Sequence, residues 1–219
     1  MTLKGKNRAI YSYNNEQRVG SNFMYKDFEK SHSYRSDFKN AKFDYASLRA
    51  AHMKFCNFDS ASFKETEFVG TNLRGSTFRG AKFQGAIFNA TVLDKVNFKE
   101  AEFIDCYFIG TGVSTAKNFP KDCSGITFLN VMPNESDFSK ELIKVVKKLR
   151  TNDIIRRSNT LHLKRGRVNT LSLMILLKIY SEEELIQLLP MVTSFIKVQF
   201  YTLSYLKMLL KKVSQSVIL

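Results

Sequence analysis

The chain has no tryptophan, and its 219 residues include only three cysteines and three prolines. Three cysteines are too few for a disulfide framework, and no secretion signal stands before them, so we expect a reducing compartment. No uncharged apolar run reaches the roughly 18 residues that a membrane-spanning helix needs. These absences predict a soluble, cytoplasmic protein. A hydrophobic content of 44% excludes a chain that is disordered throughout.

Phenylalanine, by contrast, is abundant and regularly spaced. From Phe23 to Val113 every fifth position is apolar except Ser33, and this series contains 13 of the 19 phenylalanines. Two residues before each of these positions stands a residue that is nearly always small. Of 19 such positions, 17 hold Ala, Ser, Thr or Cys, the exceptions being Lys26 and Val96. The sequence is therefore an internal repeat with a period of five.

A period of five fits neither an α-helix, with about 3.6 residues per turn, nor a long strand, whose side chains alternate. It requires a short extended segment followed by a corner. The small and the large residue are two positions apart, so their side chains point to one side, and the residue between them points outwards. Five glycines fall at the corner position, where a positive φ costs glycine nothing. They are Gly70, Gly75, Gly80, Gly85 and Gly110.

These units resemble the pentapeptide-repeat family, in which a small residue, Asp or Asn, Leu or Phe and two turn residues follow one another. The segments that carry the resemblance include Ala41-Lys-Phe-Asp-Tyr45, Thr71-Asn-Leu-Arg-Gly75 and Ala81-Lys-Phe-Gln-Gly85. The resemblance implies a mainly β fold, a right-handed quadrilateral parallel β-helix. Each coil then has four units and 20 residues, and coils stack about 4.8 Å apart.

Arranged in coils, the large residues form four columns. The columns are Phe23, Phe43, Phe63, Phe83 and Phe103; Phe38, Phe58, Phe78 and Phe98; Phe28, Leu48, Phe68, Phe88 and Phe108; and Ser33, Met53, Leu73, Leu93 and Val113. Because close-packed cores tolerate little surplus volume, we expect each coil to enclose three rings and one aliphatic group. Ser33 lies in the first coil, where residues 1–20 are expected to cover the core.

The repeat becomes irregular after Val113, so we expect a register break within residues 114–122. A resumed unit is expected around Ser124 to Ile126, followed by Val131. This divides the chain into an N-terminal cap segment (1–20), a pentapeptide-repeat β-helix (21–131) and an α-helical C-terminal region (132–219). The paths of residues 114–135 and 153–167 stay open.

Helix signals dominate the C-terminal region. Ser136 is predicted to cap a basic amphipathic helix, and a further helix is predicted from Asn169 or Thr170 through Tyr180. The apolar face of the first helix is Leu142, Val145, Val146 and Leu149, and its basic face is Lys140, Lys144, Lys147 and Lys148. Ser181 and Glu184 form a capping box for a last helix, expected to break or kink at Pro190 and to resume to about Lys212.

The net charge of +14 is unevenly placed. Residues 21–113 carry 13 basic and 11 acidic groups, whereas residues 140–167 carry 10 basic and 2 acidic groups. Binding to nucleic acid or an anionic membrane through Lys144, Lys147 and Lys148 is one interpretation. A solvated helix face is the other.

Several outward residues are candidates for contacts. Tyr25 and Tyr45 share one corner column, and Phe55 is placed on the following face, so an exposed aromatic patch is predicted as an interaction surface. Contact with the N-terminal segment is the alternative. His32 and His52 should stack on adjacent coils, but no further ligands for a metal are evident. Neither a metal nor a cofactor is predicted.

A homodimer is predicted through the last helices. An apolar stripe runs along them at spacings of three, four or seven residues and must be buried against something. Its members are Leu188, Val192, Phe195, Thr202, Leu206 and Leu209. A symmetric partner would bury this stripe. The family resemblance also supports a dimer, because several relatives dimerise through their C-termini. The alternative is a helical bundle within one chain.

No catalytic or phosphate-binding motif is present, so a non-enzymatic protein-binding rod with an unidentified protein partner is the leading functional prediction. The resemblance implies an alternative, a protein that binds DNA gyrase and protects it from quinolones or toxins. The near-neutral repeats lack the acidic surface that DNA mimicry needs, and residues 23–113 contain no inserted loops. A second alternative is the anionic membrane or nucleic-acid binder.

Overall fold

In the computed structural model, residues 11–217 are described. The chain divides into two compact units, one ending at Val131 and the other beginning at Met132. The first ten residues of the predicted N-terminal cap segment lie outside the described residues.

The first unit is a parallel β-solenoid, which confirms the predicted fold class. Paired strands run parallel and lie 20 residues apart in the sequence, for example Phe63 with Phe83 and Phe88 with Phe108. The strands are β1 (His32–Tyr34), β2 (His52–Lys54), β3 (Ser62–Lys64), β4 (Glu67–Val69), β5 (Lys82–Gln84), β6 (Ile87–Asn89), β7 (Glu102–Ile104), β8 (Cys106–Ile109) and β9 (Ile126–Leu129). They form three sheets with the orders β1-β2, β3-β5-β7 and β4-β6-β8-β9. The fourth face is held by single bridges such as Asn57 with Thr77.

The pairing reaches into the segment that the sequence assigned to a cap. Asn14 bridges Tyr34 and Gln17 bridges Asp37. The buried ring of Tyr13 lies 5.8 Å from that of Phe38, and the Tyr13 backbone N–H donates to the Ser33 hydroxyl over 3.2 Å. Ser33 therefore breaks the apolar series because its hydroxyl accepts a hydrogen bond from the coil before it.

Aromatic rings stack through the core. The Phe38 and Phe58 rings are 5.1 Å apart with an interplanar angle of 7°, and those of Phe68 and Phe88 are 4.6 Å apart at 4°. Rings of neighbouring columns meet edge to face or tilted, as between Phe43 and Phe58. Both arrangements are favourable for aromatic quadrupoles. The backbone ladder thus places each ring on its counterpart in the next coil.

Hydroxyls at the small positions tie consecutive coils together. Thr66 Oγ1 donates to the Phe43 carbonyl over 2.7 Å, and Thr71 Oγ1 donates to the Leu48 carbonyl over 2.8 Å. Both threonines are fully buried. A buried hydroxyl needs a partner, and Ser76 and Thr91 find one in the same way, whereas the buried Ser31 hydroxyl has no partner among the described residues. This explains why Ser and Thr alternate freely with Ala inside the core.

The corners have a left-handed backbone. Every fifth residue from Asn15 to Gly110 has a positive φ, and most of these residues are not glycine. Glycine is therefore favoured at a corner but not required by φ alone. Gly75 has a second reason, because a Cβ there would lie 2.5 Å from the ring of Phe55 in the preceding coil.

The predicted break in the repeat is present, but the predicted resumption is off by two positions in the unit. Ile126 was expected to be the large residue of the resumed unit, whereas it pairs with Cys106 at a small position. Phe128 instead takes the large position, with its ring 5.5 Å from that of Phe108. Phe119 turns its ring towards Phe98, at 5.6 Å, and fills the core where the expected position holds Asn118.

The second unit is helical. It contains α1 (Lys140–Leu149), α2 (Asp153–Ser158), α3 (Thr170–Leu176), α4 (Glu182–Phe195) and α5 (Leu203–Val217), with 3-10 turns at Glu135–Asp137 and Lys164–Gly166. The cap of α1 is Ser139, whose hydroxyl accepts from the Leu142 N–H, and the prediction of Ser136 was wrong. The capping box of Ser181 and Glu184 is confirmed.

Pro190 lies inside α4 and does not break it. The helix continues to Phe195, and the chain leaves it over residues 196–202. Pro190 lies on the exposed side of the helix, where water can hydrogen-bond the carbonyl that the ring leaves without a partner. Helix α4 packs against both α1 and α5. No helix within residues 11–217 is long and apolar enough to cross a membrane.

One histidine lies inside the helical unit. His162 is buried, and its Nε2 lies 2.8 Å from the carbonyl oxygen of Val146. Burial lowers the pKa of His162, with a smaller contribution from the nearby Arg150 charge, although the hydrogen bond to Val146 raises it. The imidazole is therefore held in its neutral form in the folded chain.

Phe78→Ala should destabilise the β-helix by about 3 to 5 kcal/mol, because it removes a fully buried ring stacked on both sides. Lys82→Ala, at an exposed outward position, should leave the melting temperature nearly unchanged. Thermal denaturation followed by circular dichroism measures both. Equal shifts for the two variants would contradict the assignment of inward and outward positions.

The lowered pKa of His162 predicts a loss of stability in acid. The unfolded chain takes up a proton below its pKa of about 6.5, whereas the folded chain resists it, so stability falls as the pH drops through that value. His162→Gln keeps an N–H donor for Val146 and should reduce this loss, measured as urea midpoints at about pH 7.5 and about pH 5.5. The exposed His32→Gln is the control, and an equal pH response of all three proteins would refute the prediction.

Candidate interaction surfaces

Tyr25 and Tyr45 form an exposed aromatic corner on the β-helix. Their rings are stacked 4.8 Å apart at 9°, and Tyr25 is 62% exposed. Lys64 of the next coil holds its ammonium 6.0 Å from the Tyr45 ring centroid. The sequence predicted this pair, because corner residues of adjacent coils stack in one column. We name Tyr25, Tyr45 and Lys64 the tyrosine corner.

Phe55 does not join the tyrosine corner. It lies two units beyond Tyr45 along the coil, and therefore at the opposite corner of a four-sided coil, not on the following face. Its ring is 5.6 Å from that of Tyr34 and is 48% exposed. The structure thus divides the predicted patch into two separate aromatic pairs.

The two histidines predicted to stack do so. The rings of His32 and His52 are 5.0 Å apart on the paired strands β1 and β2. Among the described residues, no three His, Cys, Asp or Glu side chains are grouped to hold a metal ion. The pair therefore presents two imidazoles to the surface and no third ligand.

The cysteines of the core are packing residues. Cys56 and Cys106 are buried and unpaired. Burial raises the pKa of each thiol to about 11. Thiolate formation at neutral pH is therefore suppressed, and with it nucleophilic reactivity.

Asp59 anchors a polar network that the sequence analysis did not identify. The carboxylate accepts from Arg79 Nε over 2.7 Å and from the Thr77 hydroxyl over 2.7 Å. Burial would raise the pKa of Asp59, but hydrogen bonds from Arg79 and Thr77 outweigh it and hold the pKa below its usual value. Both donors lie one coil beyond Asp59, about 20 residues later in the sequence. A search for oppositely charged residues at this offset would have identified the Asp59–Arg79 pair. Because every partner is satisfied, we assign it a structural role.

The basic helix face is only partly free. Lys144, Lys147 and Lys148 are all exposed on α1. Lys147 Nζ forms an ion pair with Glu135 at 2.7 Å, and this hydrogen bond lowers the pKa of Glu135. No ion pair engages Lys144 or Lys148 within residues 11–217. Two of the three predicted lysines are thus available to an anion.

The apolar stripe predicted to form a dimer is largely buried within the chain. Five of its six members are at most 7% exposed in the isolated chain, and Phe195 is half-buried. The five are Leu188, Val192, Thr202, Leu206 and Leu209. Packing between α4 and α5 therefore buries most of the stripe within one chain. This arrangement agrees with the alternative prediction of an intramolecular helical bundle. The homodimer stays a prediction, and it needs a surface other than these side chains.

Two family models match the repeats. One, described as pentapeptide repeats in nine copies, matches residues 63–112, and another, pentapeptide repeats in eight copies, matches residues 36–75. The solenoid, its register and these matches agree. The first unit of the chain is a pentapeptide-repeat domain. Proteins with such repeats are generally structural or interaction proteins.

Several solved structures are similar to this chain. A pentapeptide repeat protein from the thylakoid lumen of Arabidopsis thaliana is 18% identical, over 54% of this chain and 79% of that protein, with a TM-score of 0.35. HetL, a pentapeptide repeat protein involved in heterocyst differentiation regulation in the cyanobacterium Nostoc sp., is 14% identical, over 54% and 60%, with a TM-score of 0.28. QnrB1, a plasmid-mediated fluoroquinolone resistance protein, is 16% identical, over 57% and 93%, with a TM-score of 0.24.

These identities are too low to carry a function from one protein to another. A comparison with curated proteins finds no match. The function of this chain has to be argued from its own residues.

Proposed function

We propose that the β-helix is a non-enzymatic scaffold that binds another protein, and that the tyrosine corner is a contact site. The observation that carries the proposal is the exposed, stacked pair of Tyr25 and Tyr45 at one corner of the β-helix. Tyrosine is enriched where proteins bind each other, because its ring buries a large apolar area and its hydroxyl finds a polar partner.

The rigidity of the corner supports this role. The Tyr25 backbone N–H donates to the Asp44 carbonyl over 3.0 Å, and the Tyr45 N–H donates to the Lys64 carbonyl over 2.7 Å. Phe23 and Phe43, two residues before the tyrosines, are buried in the ring stack. A partner would therefore meet side chains on a backbone that is already ordered, which reduces the entropy cost of binding.

Photocrosslinking tests the proposal. The photoreactive analogue benzoylphenylalanine at position 25 should give a discrete adduct with one protein in cells that express the chain, and mass spectrometry identifies that protein. Tyr45→Ser should reduce the yield several-fold, since it removes the ring on which residue 25 stacks.

The same analogue at position 82 is the matched control, because Lys82 is exposed on the same face two or three coils away. It should give no such adduct. An identical adduct from positions 25 and 82, or none from position 25, would contradict a binding site at the tyrosine corner.

The topoisomerase alternative is open to a direct assay. A gyrase pull-down with the purified chain, followed by a supercoiling assay with and without a quinolone, distinguishes it from the general scaffold. The repeats do not offer the acidic surface of a DNA mimic, since residues 21–113 have a net charge of only +2. We therefore keep the scaffold as the proposal.

A second candidate function is polyanion binding by the helical unit, favoured by the exposure of Lys144 and Lys148 without an ion pair among the described residues. Replacing both with Gln should weaken retention on heparin or DNA and flatten its salt dependence, because fewer counterions are released. Retention is measured as the eluting salt concentration.

Lys147→Gln is the control, because Glu135 already pairs with Lys147. It should lower retention less per charge removed than the double variant. Unchanged retention of the double variant would leave α1 with a solvated basic face and no polyanion site.

A further inference from the structure

Although the β-helix is nearly neutral as a whole, one of its four faces is basic. The outward residues of the units 31–35, 51–55, 71–75 and 91–95 include four basic residues and one acidic residue. Each of the other three faces, counted over residues 21–110, has three basic residues and three or four acidic ones. We name the first of these the His–Lys face, because it also carries His32 and His52.

The cations of this face are available. Among the described residues, no carboxylate forms an ion pair with Arg35, Lys54 or Lys95, whereas Arg74 pairs with Asp94 at 2.9 Å. Arg35 lies over the Tyr34 ring, 5.1 Å from its centroid. The face therefore offers three unpaired positive charges on rigid strands and corners.

Its outward side chains are also accessible, which distinguishes it from its neighbour. On the face formed by β4, β6 and β8, the outward residues Ile87 and Tyr107 are each 7% exposed. On the His–Lys face, the corresponding outward residues His32 and His52 are exposed, and Val92 is 44% exposed. A ligand could reach the whole length of this face.

The aromatic residues here are unsuited to stacking on nucleic-acid bases. One side of the Tyr34 ring carries the Arg35 guanidinium, and the Phe55 ring lies on Gly75. Tyr34 and Phe55 further meet each other edge to face, at 79°. Base binding uses free ring faces, whereas apolar side chains of a peptide also pack against ring edges.

We infer that the His–Lys face docks a carboxylate-rich segment of a partner protein. Its acidic side chains would form ion pairs with Arg35, Lys54 and Lys95. The apolar residues between them would pack against the rings of Tyr34 and Phe55. The number of cations is small for a nucleic-acid site, where many phosphates are neutralised together. The inference rests on the proposal that the β-helix binds a protein, and it adds the chemistry of that partner.

The histidine pair makes this binding depend on pH. Lys54 and Tyr34 are the titratable groups beside the pair on β1 and β2, and the flanking coils contribute Ser12 and Asn72, which do not titrate. Partial burial lowers the pKa of His52, as do the charges of His32 and Lys54. A bound carboxylate would favour the protonated imidazoles, so binding should take up protons and tighten as the pH falls.

Fluorescence anisotropy with the full chain and a labelled peptide of alternating Glu and Leu tests the inference. Arg35→Gln with Lys54→Gln should weaken binding about five- to tenfold, from the loss of two exposed charge contacts. Lys42→Gln with Lys82→Gln removes the same charge from another face and should change the affinity less than about twofold.

Three results would overturn the inference. Equal losses in the two double variants would show that only the net charge matters. A loss seen only with Lys144→Gln and Lys148→Gln would place the peptide on the helical unit. Tighter binding of an oligothymidine of equal length, with the same sensitivity to Arg35→Gln and Lys54→Gln, would make nucleic acid the ligand of this face.

The pH dependence supplies an independent readout. The wild-type chain should bind the peptide at least about threefold more tightly near pH 6 than near pH 8, while the Glu carboxylates stay ionised. His32→Asn with His52→Asn should abolish this gain, and an unchanged gain would remove the histidines from the site. If the peptide does not bind but the crosslink at position 25 still forms, only the inference of an acidic partner is overturned. If the peptide binds but no crosslink forms at position 25, only the contact site at the tyrosine corner is overturned.

Discussion

The parallel backbone ladder between coils is the constraint on which the β-helix depends. Because each residue pairs with the residue 20 positions further on, every side chain is repeated at a fixed place in the next coil. Rings therefore meet rings, threonine hydroxyls meet carbonyls, and left-handed corners meet left-handed corners. Core packing, polar satisfaction and surface chemistry are all consequences of one register.

The regular part of the fold was predictable from sequence because its signal is redundant. The spacing of Phe alone specifies which residues point inwards, and the glycine positions independently mark the corners. The irregular ends were not predictable in this way. Phe119 packs against the core after the repeat fails, whereas Phe128 takes the large position but stays 45% exposed. Only three-dimensional packing decides that Ile126 takes a small position.

The interaction surfaces were predictable in part. The stacking of Tyr25 on Tyr45 and of His32 on His52 follows from the coil length. The prediction for Phe55 was wrong, because a residue two units beyond Tyr45 lies at the opposite corner of a four-sided coil. In the helical unit, an apolar stripe shows which side of a helix is buried but not what buries it. The packing of α4 against α5 depends on tertiary structure that no local pattern contains.

The irregular segment after Lys117 has a consequence for how such chains diverge. Asn97 still bridges Lys117, and Cys106 still pairs with Ile126, so the ladder is resumed at the same 20-residue offset after a stretch that forms no repeats. Inserting one residue within a regular coil would turn every later inward side chain outwards or into a corner, whereas the irregular stretch can absorb a length change locally. The regular region can therefore be lengthened by whole five-residue units without moving its inward side chains, whereas single-residue insertions and deletions are accommodated only in the irregular stretch.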